Sequence, residues 1–295
     1  MTPRSGLALL DKPAGITSFQ ALAPLKKILD TRQAGHLGTL DRFASGLLPV
    51  LVGPSTRLAF LFEDADKAYR AVFVFGRSTD TLDPEGEVVA EAPVPGRESV
   101  ERALEGFRGR IEQVPPEYSA VHVGGKRAYQ LARAGKRPEL APRAVTIHDI
   151  AVLRWEPPEL ELSVDCSKGT YIRALARDLG RRTGSCAYVS RLTRTRVGDF
   201  RLQEAVTPLG FEAAVHLLPP EAFLPRLGGV GRLSLDPRRR GEVLNGRPLR
   251  DDWCLSAAAA DGCYAVFEDP GRLLAVVRRS EGRFEYRAVF PEAGA

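Results

Sequence analysis

The apolar positions of this chain change period several times, and those changes locate its elements. Leu7 to Leu10 form a continuous apolar run that predicts a short buried strand over Gly6 to Leu10, with Asp11 to Gly15 as a turn. Ser18 has the character of a helix N-cap, and Phe19, Leu22, Leu25, Ile28 and Leu29 follow on one helical face. Tyr69, Ala71, Phe73 and Phe75 share one side of a predicted strand, and the polar stretch Thr79 to Gly86 reads as a loop. Val100, Leu104 and Phe107 mark a second amphipathic helix. Leu160, Leu162 and Val164 alternate with Glu159, Glu161, Ser163 and Asp165, the signature of a half-buried strand. That strand runs into a helix start at Lys168-Gly169-Thr170, then Ile172, Leu175 and Leu179 at helical spacing, with Gly184 as the stop.

Strands and helices without regular alternation predict an α+β architecture with a mixed or antiparallel sheet. The pattern weakens near Leu217-Leu218-Pro219-Pro220. Beyond Gly228 come short strand-like pieces, Tyr264 to Phe267, Leu273 to Val277 and Phe284 to Phe290, separated by turns such as Asp269-Pro270-Gly271. This predicts a large domain over 1–227 and a small β-rich one over 228–295.

Composition narrows the class. The chain is 44% hydrophobic and 27% charged, ordinary for a globular protein, and no apolar run approaches the ~20 residues that span a bilayer. No signal peptide is expected. Cys166, Cys186, Cys254 and Cys263 contain no C-x-x-C pair, and the four histidines are scattered, which argues against a zinc site or disulfide scaffold and suits a reducing cytoplasm. The net charge of +5 is unevenly placed. Lys168 to Arg196 holds eight basic residues against Asp178 alone. Gly124 to Arg143 holds six (Lys126, Arg127, Arg133, Lys136, Arg137, Arg143) against Glu139. Two basic segments on an otherwise acidic chain suit a polyanion-binding surface as well as a pair of solvated helix faces.

Candidate chemistry centres on Asp41, which follows Gly38-Thr39-Leu40 and precedes the apolar run Leu47 to Val52. Alone it reads as a turn residue. A buried carboxylate needs a cationic partner, and Arg173 at a strand-to-helix junction could offer it two parallel hydrogen bonds. Tyr171, two residues earlier, could act as a base or proton donor in a dry pocket, and Tyr69 at a strand start could present its ring for stacking. A carboxylate, a guanidinium and two tyrosines suit a planar ring held by stacking while a carboxylate attacks it.

Six stretches then resemble the TruB family of tRNA pseudouridine synthases: LLDKPAGITS (Leu9 to Ser18), GHLGTLDRFASGLLPVLVG (Gly35 to Gly53), KAYRAVFVFGRSTDTLDPEG (Lys67 to Gly86), PPEYSAVHVGGKRAYQLARAG (Pro115 to Gly135), CSKGTYIRALARDLG (Cys166 to Gly180) and RLTRTRVGDF (Arg191 to Phe200). They occur in the family's order. The resemblance implies that Asp41 is the nucleophile, that Arg173 pairs with it, and that Tyr171 helps remove the proton at C5 of uracil. It implies substrate contacts from Tyr69, which stacks on the base, and from His36, Lys12, Lys168 and Leu192. It also implies a closing loop at 124–143, a PUA-type RNA-binding tail, no cofactor and no metal. The implied partner is the T-arm stem-loop of tRNA, with uridine 55 as target. No membrane or protein partner is implied, and a cytoplasmic monomer is expected. Two other readings stay open: a tRNA-binding or folding module without catalysis, and a guide-RNA-dependent pseudouridine synthase. Departures from the family pattern are His122 for lysine, Gly124 for asparagine, and Leu37, Arg42 and Phe43 for threonine, proline and leucine. The change at Arg42 removes a φ constraint next to Asp41.

Overall fold

The computed structural model describes residues 5–136, 138–256, 258, 260–268 and 271–291. In chain order its elements begin with strand β1 (Gly6–Lys12), helices α1 (Ser18–Ala21) and α2 (Ala23–Ile28), and strands β2 (Ala34–His36), β3 (Ser45–Val52), β4 (Lys67–Phe75), β5 (Arg77–Thr79) and β6 (Val88–Glu91). Helix α3 (Arg97–Glu105), β7 (Gly109–Gln113), the small hairpin β8 (His122–Val123) and β9 (Lys126–Arg127), and α4 (Ala128–Arg133) follow. Then come β10 (Arg143–Glu156), β11 (Glu159–Cys166), α5 (Ile172–Arg182), β12 (Ala187–Val197), β13 (Phe200–Arg201), α6 (Ala213–His216), β14 (Leu217–Leu218) and α7 (Pro220–Phe223). The last part holds β15 (Val230–Ser234), α8 (Arg240–Leu244), β16 (Gly262–Glu268), β17 (Arg272–Ser280) and β18 (Arg283–Val289).

The main sheet has ten strands, with the path β14-β1-β3-β12-β4-β11-β10-β7 and with β2 and β13 attached to β3 and β12. Every pairing in it is antiparallel except β3 with β12, so the sheet is mixed, as the α+β reading expects. Strands β1 and β3 are buried on both faces. Ala8, Leu10, Leu48 and Val50 enter one core with α1, α2, α3 and α5, whereas Leu7, Leu9, Leu47 and Leu51 enter a second core on the opposite face. This explains the uninterrupted apolar runs, because a strand covered on both sides loses its polar alternation. The second core includes Ala265, Phe267, Leu273 and Val276 of the C-terminal four-stranded sheet, β15-β16-β17-β18. That small β unit therefore packs directly on the back of the main sheet.

Local differences from the sequence reading have identifiable causes. Strand β1 runs on through Asp11 and Lys12, which stay paired with Leu47 and Gly46 of β3. The first helix is capped by Thr17, which shares a capping box with Gln20, while the Ser18 hydroxyl is buried against Leu40. Pro24 cannot donate a backbone N–H, and the helix restarts at Ala23; of the predicted face only Leu22, Leu25 and Leu29 are buried, with Phe19 and Ile28 exposed. The later helix starts at Ile172, because Gln113 binds both backbone polar groups of Tyr171 and holds it outside the helix. Residues Asp269 and Pro270 of the expected turn lie outside the described residues, as does Arg137. No helix of the described residues is long and apolar enough to cross a membrane.

Candidate active site

Asp41 sits in the loop between β2 and β3, and its neighbours in sequence are held from both sides. Before it, the Ser18 hydroxyl donates to Leu40 O (3.0 Å) and accepts from Leu40 N (2.9 Å). After it, Gly15 N donates to Arg42 O (2.8 Å) while Arg42 Nε donates to Gly15 O (2.9 Å). The second clasp offsets the missing proline constraint, because a side-chain bond now ties Arg42 to the β1–α1 turn. Leu40 and Ala44 anchor the loop in the first core. Beneath it lies Lys12, fully buried, whose ammonium donates to the carbonyls of Pro13 (2.9 Å), Ile16 (2.8 Å) and Arg42 (3.4 Å). Burial pushes the Lys12 ammonium down to about 8, against the attraction of Asp41.

The Asp41 carboxylate meets Arg173 of α5 in the two-pronged geometry expected from the sequence, Nε to Oδ2 at 2.9 Å and Nη2 to Oδ1 at 3.1 Å. The same guanidinium donates to Asp83 Oδ2 (3.3 Å), Thr81 O (2.8 Å) and Tyr118 O (2.9 Å). Asp83 is a partner the sequence reading missed. Its only signal was an acidic residue in the predicted loop Thr79 to Gly86, where aspartates are ordinary. Burial pushes the Asp41 carboxyl above its usual range and Asp83 adds to this, while Arg173 and Lys12 oppose it.

These groups line a cavity of about 1170 Å³ between the main sheet and the segment around Tyr118 to Arg143. Tyr69, Tyr171, Leu192 and Lys168 also line it. Tyr69 is nearly buried on β4, its hydroxyl facing Arg194 of β12, and burial raises its phenol pKa against the pull of that guanidinium. Tyr171 is half-buried and likewise held neutral by burial. Lys168 is exposed and pairs with Asp64. The structure thus brings Asp41, Arg173, Tyr171, Tyr69, Lys168 and Leu192 to one wall system.

Lys12 and His36 are not among the cavity-lining residues. Lys12 is enclosed by carbonyls under the loop. His36 lies on β2 with a buried Nδ1 that has no hydrogen-bond partner among the described residues, and burial together with Arg194 lowers its pKa. Sequence reasoning also missed Arg194, whose conversion from surface charge to buried group is invisible along the chain.

The two basic segments differ in what they present. From Lys168 to Arg196, Arg173 and Arg194 are buried, Arg177 pairs with Asp178, Arg196 binds Asp165 and Arg182 stacks on Phe107. Most of that segment is internal wiring. Lys126, Arg127, Arg133, Lys136 and Arg143 are all exposed, and Arg133 and Arg143 reach the cavity rim. The exposed positive charge is therefore carried mainly by the hairpin β8–β9, α4 and the start of β10.

Comparison with known proteins agrees with this geometry. A family model described as TruB family pseudouridylate synthase (N terminal domain) matches residues 26–172. The chain is 46% identical over 250 residues to a tRNA pseudouridine synthase B of Aromatoleum aromaticum, covering 83% of this chain and 80% of the relative. It is 42% identical over 303 residues to the protein of that name from Gloeobacter violaceus, covering 97% and 99%. Among solved structures, a chain of a Cbf5-Nop10-Gar1 complex superposes with a TM-score of 0.70 at 26% identity, over 98% of this chain and 84% of that one. With relatives this similar over nearly its whole length, the chain belongs to the TruB family of pseudouridine synthases.

Proposed function

We infer that this protein isomerises uridine to pseudouridine in tRNA, at position 55 of the T loop, with Asp41 as nucleophile. The observation that supports it best is the Asp41 carboxylate held by both prongs of Arg173 on the wall of a cavity large enough for a nucleotide. A protein that only binds RNA has no use for such a pair. Relatives 42–46% identical to it carry the name tRNA pseudouridine synthase B, which favours this reading over a guide-RNA-dependent enzyme.

The target base is stacked in its RNA and must be extruded to reach Asp41. Exposed cations at 126–143 neutralise phosphates at the cavity rim, and Tyr69 replaces lost stacking worth roughly 1–3 kcal/mol per base. Asp41 then attacks the nucleotide at C6 or C1′. The bond from C1′ to N1 breaks, the bond from C1′ to C5 forms, and the bond to Asp41 is released. The C5 proton leaves to an adjacent water directly or through the Tyr171 hydroxyl, which passes on its own proton, and N1 is protonated. Substrate and product are isomers, so atoms and electrons balance without a cofactor. Arg173 keeps Asp41 ionised against its burial, and Lys12 acts from below by holding the loop. We assign 1–227 to catalysis and 228–295 to a PUA-like RNA-binding role, in a cytoplasmic monomer that needs no protein partner.

Tritium release from C5-labelled uridine in a tRNA T-arm hairpin tests the proposal. Wild-type release with none from Asp41→Asn is the expected result. Tight hairpin binding without any release would leave only the binding-module reading.

A further inference from the structure

Arg194 poses a question that the proposed chemistry does not answer. It is 1% exposed, as buried as an apolar core residue. Buried guanidinium groups ordinarily carry a carboxylate partner, as Arg173 does with Asp41 and Asp83. Among the described residues no carboxylate pairs with Arg194. Its Nε donates to Leu47 O (2.8 Å) and its Nη2 to Gly38 O (2.9 Å), and its remaining side faces the Tyr69 hydroxyl.

Those contacts are unevenly distributed around the site. Gly38 lies three residues before Asp41, and Leu47 lies on β3 just beyond the same loop. Arg194 and Tyr69 are directly opposed in the β12–β4 register. One side chain therefore reaches the loop ahead of the nucleophile, the strand after it, and the hydroxyl of the tyrosine expected to carry the base. The Arg194 backbone is also closely paired with β3. A Cβ on Gly46 would come within 2.4 Å of Arg194 O, and Gly46 sits at φ +102°, a left-handed conformation that glycine tolerates. A Cβ on Gly38 would meet Arg194 Nη1 at 3.4 Å.

We propose that Arg194 is a positioning residue for the isomerisation, fixing the stacking tyrosine relative to the nucleophile loop. The inference rests on the function proposed above. A guanidinium suits the task because its planar fork can hold two carbonyls in different directions while presenting a third edge to a hydroxyl. An uncompensated charge also keeps those carbonyls and the phenol oxygen turned toward it. Arg194 touches neither base nor ribose in this reading. It acts through Tyr69 and through the loop that ends in Asp41.

The test is a double-mutant cycle in the full-length protein, read by single-turnover tritium release at saturating T-arm hairpin and by hairpin Kd. Arg194→Gln should lose about a hundredfold in saturating rate, the scale expected for a misplacement of an ångström, with Kd little changed. Tyr69→Phe removes only the hydroxyl and should slow the reaction less. The two changes together should be no slower than Arg194→Gln alone, because the second cuts a link already broken. Fully additive losses, or a normal saturating rate in Arg194→Gln, would overturn the proposal. If Arg194→Gln does not fold, Arg194→Lys, which keeps the charge but cannot span the three partners, replaces it in the cycle. A folded lysine variant with wild-type rate overturns the proposal equally. Wild-type protein without tritium release refutes the proposed function and this inference with it, whereas active wild type with unaffected Arg194 variants refutes the inference alone.

Discussion

Replacing Arg173 by methionine removes five polar contacts while preserving most of the side-chain volume. Two of those contacts go to Asp41, one to Asp83 and two to the carbonyls of Thr81 and Tyr118. The Arg173 and Asp83 side chains are only 5% and 7% exposed, so the methionine leaves a buried carboxylate without its cation. Breaking a buried pair in this way costs about 3–5 kcal/mol. Against a total stability of roughly 5–15 kcal/mol the chain still folds, with a Tm lower by on the order of 10 °C. The chemical consequence is separate. A guanidinium about 4 Å from a carboxylate contributes about 4 kcal/mol at an effective dielectric of 20. The Asp41 side chain is 39% exposed to the cavity, and solvent screening halves this to about 2 kcal/mol, a roughly thirtyfold smaller ionised fraction on the acid limb. The sign is definite: Asp41 already titrates above its ordinary range, and loss of Arg173 moves it further up. Single-turnover tritium release at saturating hairpin should fall sharply near neutral pH and partly recover as pH rises. Arg173→Lys should recover less than its charge suggests, because an ammonium cannot form both prongs. A normal saturating rate with weakened binding would show that Arg173 serves as a phosphate contact and that the reasoning is wrong.

Asp41→Asn should abolish turnover with little change in hairpin affinity; even a tenth of the wild-type rate would exclude Asp41 as nucleophile. Neutralising Lys126, Arg127, Arg133, Lys136 and Arg143 together should weaken hairpin binding and flatten its salt dependence, and an unchanged slope of log K against log salt would show that none of them meets phosphate. Lys12 gives a stability test. Its fall from 10.5 to about 8 means that the charged form is disfavoured in the folded chain by roughly 3 kcal/mol. The unfolded chain holds that proton more tightly, so wild type should gain stability relative to Lys12→Met as pH rises from about 8 to about 10.5. Urea unfolding of both proteins at the two ends of that window measures the difference, and parallel pH profiles would contradict the burial argument.

Periodicity along the chain was sufficient for the half-buried strand β11, the alternating side of β4 and the buried stripe of α5, because each element's own pattern mirrors the surface it covers. It was also sufficient to mark β16, β17 and β18 of the C-terminal sheet, though not β15. Asp41, Arg173, Tyr69 and Tyr171 were legible as candidates because carboxylates, guanidinium groups and phenols in otherwise apolar settings are chemically conspicuous. Helix boundaries were less legible. Thr17 and Ser18 are both competent caps, and only the burial of the Ser18 hydroxyl against Leu40 decides between them.

What tertiary structure alone decided was the fate of charge. Lys12, Lys168, Arg173 and Arg194 are indistinguishable as basic residues in a list. One is enclosed by carbonyls, one is exposed with Asp64, one bridges two carboxylates, and one is buried among carbonyls with its open side on Tyr69. Asp83 became a partner of Arg173 in the same way, across 90 residues of chain. Sequence spacing carries the period of an element but not the neighbours it meets. Charge partners are chosen across strands that pair only when the sheet closes, and that choice turns a basic segment into a site.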